Sequence, residues 1–195
     1  MNDISQFVKS NVADTCSLWN LLASRLLYTT ARSAGVTVCC TDYVVYECLH
    51  KPSQIRPERT ELQKRLRSKL TDGSITSHPI EIEDLQDVHV LRNRKKLSIG
   101  ELSVIVFADK TSQALLTDDI GAQKLARVVL PAATVQSTPH LFAWLYFKSL
   151  LSDGDKDQIA ADLLSVNRSL RPHLDNSHAE AQRCKAVAMQ ASNLS

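Results

Sequence analysis

The side chains that could do chemistry together are acidic and widely spaced: Asp14, Glu47, Glu101 and the neighbours Asp118 and Asp119. Carboxylates gathered without histidine or cysteine suit Mg2+ or Mn2+, hard cations that prefer oxygen ligands and keep several waters. Crowding also calls for a cation, because like charges in a partly desolvated cluster raise one another's pKa. The chemistry such a set supports is that of a bound divalent cation. No Ser-His-Asp or Cys-His set competes, since the six histidines have no flanking motif, and no Cys/His zinc spacing is present.

Stepping along the chain, apolar runs of strand type alternate with runs of helical spacing. Residues 7–13 read as a first strand ending at Asp14, and 17–34 as an amphipathic helix. The β-branched run VTVCC (36–40) is a second strand, and YVVYECLH starts the next helix. RPERTELQKRLRSKL is a charged helix closed by Asp72-Gly73, and ITSHPIEI a strand or edge strand broken by Pro79. IEDLQDVHVLRNRKKL has a helical pattern. Ser98 with Glu101 forms an S-x-x-E start for IGELSVIVFADK. ALLTD is a strand, IGAQKLARVVL a helix, and ATVQS a short strand. Thr138-Pro139 opens a helix through LFAWLYFKSLL, and Asp155 with Gln158 starts another, followed by a helical or frayed tail. This order predicts an α/β/α sandwich with a mainly parallel central sheet, residues 1–153, and a C-terminal helical extension, 154–195, packed on the same domain. In such a sheet ligands collect at the carboxyl ends of the strands, where Asp14 and Asp118/Asp119 fall. Glu47 follows the second strand and Glu101 opens the helix feeding ALLTD, so the acids could meet at one edge.

These stretches resemble the PIN domain family. NVADTCSLWNLLAS is similar to its opening strand-Asp-Thr-helix motif, YECLH carries its second acid, IGELSVIVFA resembles its third motif and LLTDDIGAQKLAR its fourth. The resemblance implies a Mg2+- or Mn2+-dependent endoribonuclease that hydrolyses an RNA phosphodiester with a metal-activated water, like the ribonuclease toxins of bacterial toxin-antitoxin pairs, with RNA, an antitoxin and a second copy of the chain as partners, in a protein whose composition reads as cytoplasmic. It implies Asp14, Glu47, Glu101 and Asp119 as the acidic quartet, Asp118 as an auxiliary acid and metal ligand, and Thr15 or Thr117 as a polar orienter. Asp119 is preferred to Asp118 because the family places its acid two residues after the threonine, here Thr117. Glu101 stands where aspartate is more usual, and the C-terminal part is longer than in small toxins.

Each acid also has a plainer reading. Asp14 and Asp119 suit N-caps, Glu101 the capping box with Ser98, and Glu47 a solvated helix face. Two other functional readings therefore stay open: a catalytically inactive PIN-like protein that binds RNA or regulates, and a partner-binding protein using its C-terminal helices. Of two basic stretches, Arg92, Arg94, Lys95 and Lys96 is the stronger RNA-binding candidate. The other, from Arg56 to Lys69, is interleaved with Glu58 and Glu61 and reads as a solvated helix. Phe142 is assigned to the core and Trp144 to an interface.

The chain has 195 residues, 44% hydrophobic, with a net charge of +2, which fits a globular domain and excludes a strongly basic nucleic-acid coat. Its five cysteines, an odd number, read as reduced thiols of a cytosolic protein. No run approaches the roughly 18 apolar residues of a membrane span, so no membrane partner is expected.

Overall fold

Short runs of apolar residues, covered on both sides, make the strands of the central sheet. A computed structural model describes residues 3–52, 56–81, 83–84 and 97–192. Its strands are β1 (Ser10–Ala13), β2 (Thr37–Thr41), β3 (Ile75–His78), β4 (Ala114–Leu116) and β5 (Val135–Gln136). All pair in parallel, in the order β3-β2-β1-β4-β5. The flanking helices are α1 (Thr15–Ala23), α2 (Arg25–Ser33), α3 (Asp42–Leu49), α4 (Pro57–Thr71), α5 (Ile99–Thr111), α6 (Ile120–Val129), α7 (Thr138–Phe147), α8 (Asp153–Ser165) and α9 (Arg171–Ser192). The expected α/β architecture with a parallel sheet is thus present. From β1 the chain winds outward to β2 and β3, then crosses back to β4 and β5. The direction reverses between β1 and β4, which opens a crevice beyond the carboxyl ends of those two strands.

Several boundaries differ from the sequence reading, each for a long-range reason. The first strand begins at Ser10 instead of Phe7. Phe7 stacks on Trp144 at 5.3 Å, and the Val8 backbone bonds the Gln136 side chain in both directions in place of a strand neighbour. The helix expected over 17–34 is two helices broken at Ser24, whose backbone is extended and whose hydroxyl donates to Asp162 of α8 at 2.7 Å. The N-cap of α7 is Ser137, one residue before the expected Thr138. Trp144 is 5% exposed and belongs to the core with the fully buried Phe142, not to an interface. The capping box of α5 forms as read: the Ser98 N–H donates to Glu101 Oε2 at 2.7 Å, and the Glu101 N–H to Ser98 Oγ at 3.1 Å. The helix read over 82–97 falls mostly outside the described residues.

The C-terminal helices share the core of the sheet domain. Ile159 and Leu163 of α8 and Leu174 and Ala181 of α9 are buried in the same apolar cluster as β1 and β4, and α9 packs against α7. Cys39, Cys40 and Cys48 are buried free thiols, and Cys16 and Cys184 are half-buried. Among the described residues no helix is long and apolar enough to cross a membrane.

Candidate active site

The ends of β1 and β4 carry the first part of the site. Leu116 pairs with Ala13, and the ladder continues as the Asp14 N–H donates to Leu116 O at 3.1 Å. That register sets Asp14 beside Thr117, whose hydroxyl donates to Asp14 Oδ2 at 2.5 Å. Oδ1 of Asp14 accepts from the Ser17 N–H at 2.7 Å and so caps α1. Asp14 is 1% exposed, and burial pushes its carboxyl up to about 7, against the pull of the Thr117 and Ser17 bonds, with a smaller upward push from the Asp118 charge. Asp119 is the N-cap of α6, accepting from the Ala122 N–H at 2.7 Å through Oδ1. Its own N–H donates to Thr117 Oγ1 at 3.2 Å, so one threonine ties the two capping acids together.

Asp118 joins three elements. Its Oδ2 accepts from Asn20 Nδ2 of α1 at 2.8 Å and Ser17 Oγ at 3.1 Å, and both oxygens accept from Thr138 of α7, from its N–H and its hydroxyl. Asn20 in turn accepts from Arg168 Nε at 2.8 Å, and Arg168 Nη2 donates to Cys16 O. An arginine of the C-terminal extension therefore reaches the acidic edge through one amide. The other side of Asp118 borders a cleft of about 420 Å3 that is also lined by Arg127 of α6 and His173 of α9.

The second part lies between α3 and α5. Thr15, next to Asp14, donates its hydroxyl to Glu47 Oε2 at 2.7 Å. The Glu47 side chain is 15% exposed, with Lys51 Nζ 3.7 Å from its other oxygen. Its carboxylate lies directly on Gly100 in the first turn of α5, where a Cβ would stand 2.7 Å from Glu47 Cδ. Glycine at this position leaves the space that the carboxylate fills. Glu101 follows at once and is half-buried, with Oε2 held by the Ser98 N–H.

The structure thus brings Asp14, Thr117, Asp118 and Asp119 together at the crevice, and joins Glu47 to them through Thr15, with Glu101 next to the glycine under Glu47. Sequence reasoning missed Asn20, Ser17, Thr138, Arg168 and Gly100. Only Asn20 leaves a local trace, as a polar residue among the buried leucines of α1. Arg92, Arg94, Lys95 and Lys96 lie outside the described residues. Among the described residues no group of three or more acids, histidines or cysteines is arranged to hold a metal ion. The donors at the edge are all oxygens, the set that suits Mg2+ or Mn2+, and the crowding of Asp14 by Asp118 is of the kind a cation relieves. Comparison of the chain with models of known protein families and with curated proteins gives no match in either.

Proposed function

We propose that this protein is a Mg2+- or Mn2+-dependent endoribonuclease of PIN type. The observation that carries this reading is the placement of Asp14, Thr117, Asp118 and Asp119 at the carboxyl ends of β1 and β4, the switch point of a parallel sheet, with Glu47 tied to Thr15 and seated on Gly100. Asp14, Glu47, Glu101 and Asp119 would hold the cation, with Asp118 as the auxiliary acid. A divalent cation there supplies Lewis-acid polarisation of a phosphodiester and a lowered pKa for water. The chain's own part is orientation and proton handling. Thr117 and the Ser17 N–H fix the Asp14 carboxylate, Thr15 fixes Glu47, and Asp118 locks α1 to α7 so that the two capping acids keep their separation. Glu47 would accept a proton from an attacking water, because among the described residues the only charged partner of its Oε1 is Lys51 Nζ at 3.7 Å.

A second reading is favoured by a specific observation. Each acid already spends at least one oxygen on a protein donor, which suits a fold that keeps these residues as caps and cross-links while binding RNA without cutting it. One experiment separates the two: incubation of a mixed small-RNA pool with purified wild type and Asp119→Asn, in Mg2+, Mn2+ or EDTA. Asparagine caps a helix as well as aspartate, so the variant keeps its fold. The nuclease reading expects metal-dependent cleavage that falls at least about 100-fold in the variant. RNA binding without cleavage by the wild type in either metal gives the second reading, and equal cleavage by both proteins removes Asp119 from the site.

A further inference from the structure

The charge pattern of α4 reads as a solvated helix, yet in the fold four of its five basic residues, Arg59, Lys64, Arg65 and Lys69, line two clefts. Its face toward α1 and α2 carries them end to end along fifteen residues, or about 22 Å. The first cleft, of about 340 Å3, has an apolar floor of Trp19, Leu62 and Val166. Arg56, Arg59 and Arg168 surround it, opposed by Glu58 alone. It adjoins the acidic edge directly: Arg59 Nη2 donates to Glu47 O at 3.1 Å, and Arg168 holds Cys16 O beside Thr15. The Arg59 Nε, fully buried, has no hydrogen-bond partner among the described residues.

The second cleft, of about 600 Å3, continues along the same helix. Arg25 of α2 faces Lys64, Arg65 and Lys69 of α4 across it, opposed by Glu61. Arg65 donates to Leu22 O and Ala23 O, which pins the walls together, and also pairs with Glu61, while Lys69 pairs with Asp72 at the end of its own helix. Arg25 and Lys64 are exposed and make no ion pair among the described residues. Tyr28 lines this cleft at 6% exposure, and its buried hydroxyl has no hydrogen-bond partner among the described residues. Lys69 Nζ stands 5.3 Å from the centre of the Tyr28 ring, and a cleft lined by four cations against one acid has the charge of a site for an anion.

We infer that the groove between α4 and the α1–α2 pair is the track of a single RNA strand, which leads from the Tyr28 cleft past the Trp19 cleft to the acidic edge. This rests on the ribonuclease reading for its destination, but not for its existence. Arg25, Lys64, Arg56 and Arg168 would meet phosphates, and the apolar floor would take one sugar or base face. A recessed groove between helices fits an extended strand, whereas a duplex presents its phosphates on a convex surface.

The test is fluorescence anisotropy with a labelled, unstructured RNA of about a dozen nucleotides, in EDTA so that nothing is turned over, across a series of salt concentrations. For the double variant Arg25→Glu/Lys64→Glu, binding should weaken at least about tenfold, and the slope of log affinity against log salt should fall by about 1.4, the loss of two phosphate contacts on a single strand. Lys64→Gln, at an exposed helical position, replaces the double variant if that does not fold, with a slope change of about 0.7. Wild-type affinity and slope in the charge variants overturn the track, as does tighter binding of an acidic peptide than of RNA with the same dependence on Lys64. The two readings fail separately. Groove-dependent RNA binding without cleavage keeps the track and removes the nuclease; cleavage with groove-independent binding does the reverse.

Discussion

At the scale of single residues, Asp14 is the group whose environment is most at odds with its chemistry. Its carboxyl holds a proton up to about pH 7 in the fold, but only to about pH 4 in an unfolded chain. Unfolding between these values releases a proton, so the stability that protonated Asp14 contributes is complete below about pH 4 and is lost as pH rises through about 7. Asp14→Asn cannot titrate and still caps α1. In metal-free buffer, the variant should gain on the wild type as pH rises from about 4 to 7, by up to about 1.4 kcal/mol per pH unit, and the gap should level off above that. Urea unfolding midpoints at a series of pH values measure it, and curves that stay parallel would show that Asp14 titrates normally. The capping roles of Asp14 and Asp119 were legible in the sequence because a cap and its donor are three residues apart. The partners of Asp118 were not, because Asn20 and Ser17 stand about a hundred positions away and only packing brings them close.

At the scale of elements, the start of α5 decides whether Glu47 can occupy its place. Ser98 and Glu101 close the first turn, and Gly100 between them is the opening through which the Glu47 carboxylate approaches the helix. In Gly100→Ala the new methyl group collides with the end of a flexible side chain, so Glu47 moves while the helix stays. Alanine should hold or raise the melting temperature, by up to about 1 kcal/mol of helix propensity. Metal-dependent cleavage should fall about tenfold or more in the same protein. If calorimetry and cleavage both leave Gly100→Ala indistinguishable from wild type, Glu47 has no part in the reaction. This capping box was readable from a four-residue pattern, as was the alternation of strands and helices. The break at Ser24 was not: the residues on either side continue a helical pattern, and the extended backbone there is stabilised by Asp162 from a helix far along the chain.

At the scale of the whole molecule, the sheet order and the extension have opposite relations to the sequence. Strand and helix alternation was enough to expect a parallel sheet with acids at its carboxyl edge, since each crossover returns the chain in the same direction. Composition and spacing could not reveal that the loop between α8 and α9 sends Arg168 back to α1, because nothing near Arg168 marks it as different from other surface arginines. The interleaved acids of α4 likewise hid the groove, although Glu61 does pair with Arg65 as the spacing suggested. One consequence follows from β1, which has β2 on one side and β4 on the other and leads straight into Asp14 and Thr15. Backbone amides of Val12 and Ala13 can exchange with solvent deuterium only when the sheet opens from its middle, so they should be among the slowest in the protein. On the nuclease reading, heat should then abolish cleavage together with the fold as a whole and not before it, since Asp14 and Thr15 follow directly on the strand that is the last to let go.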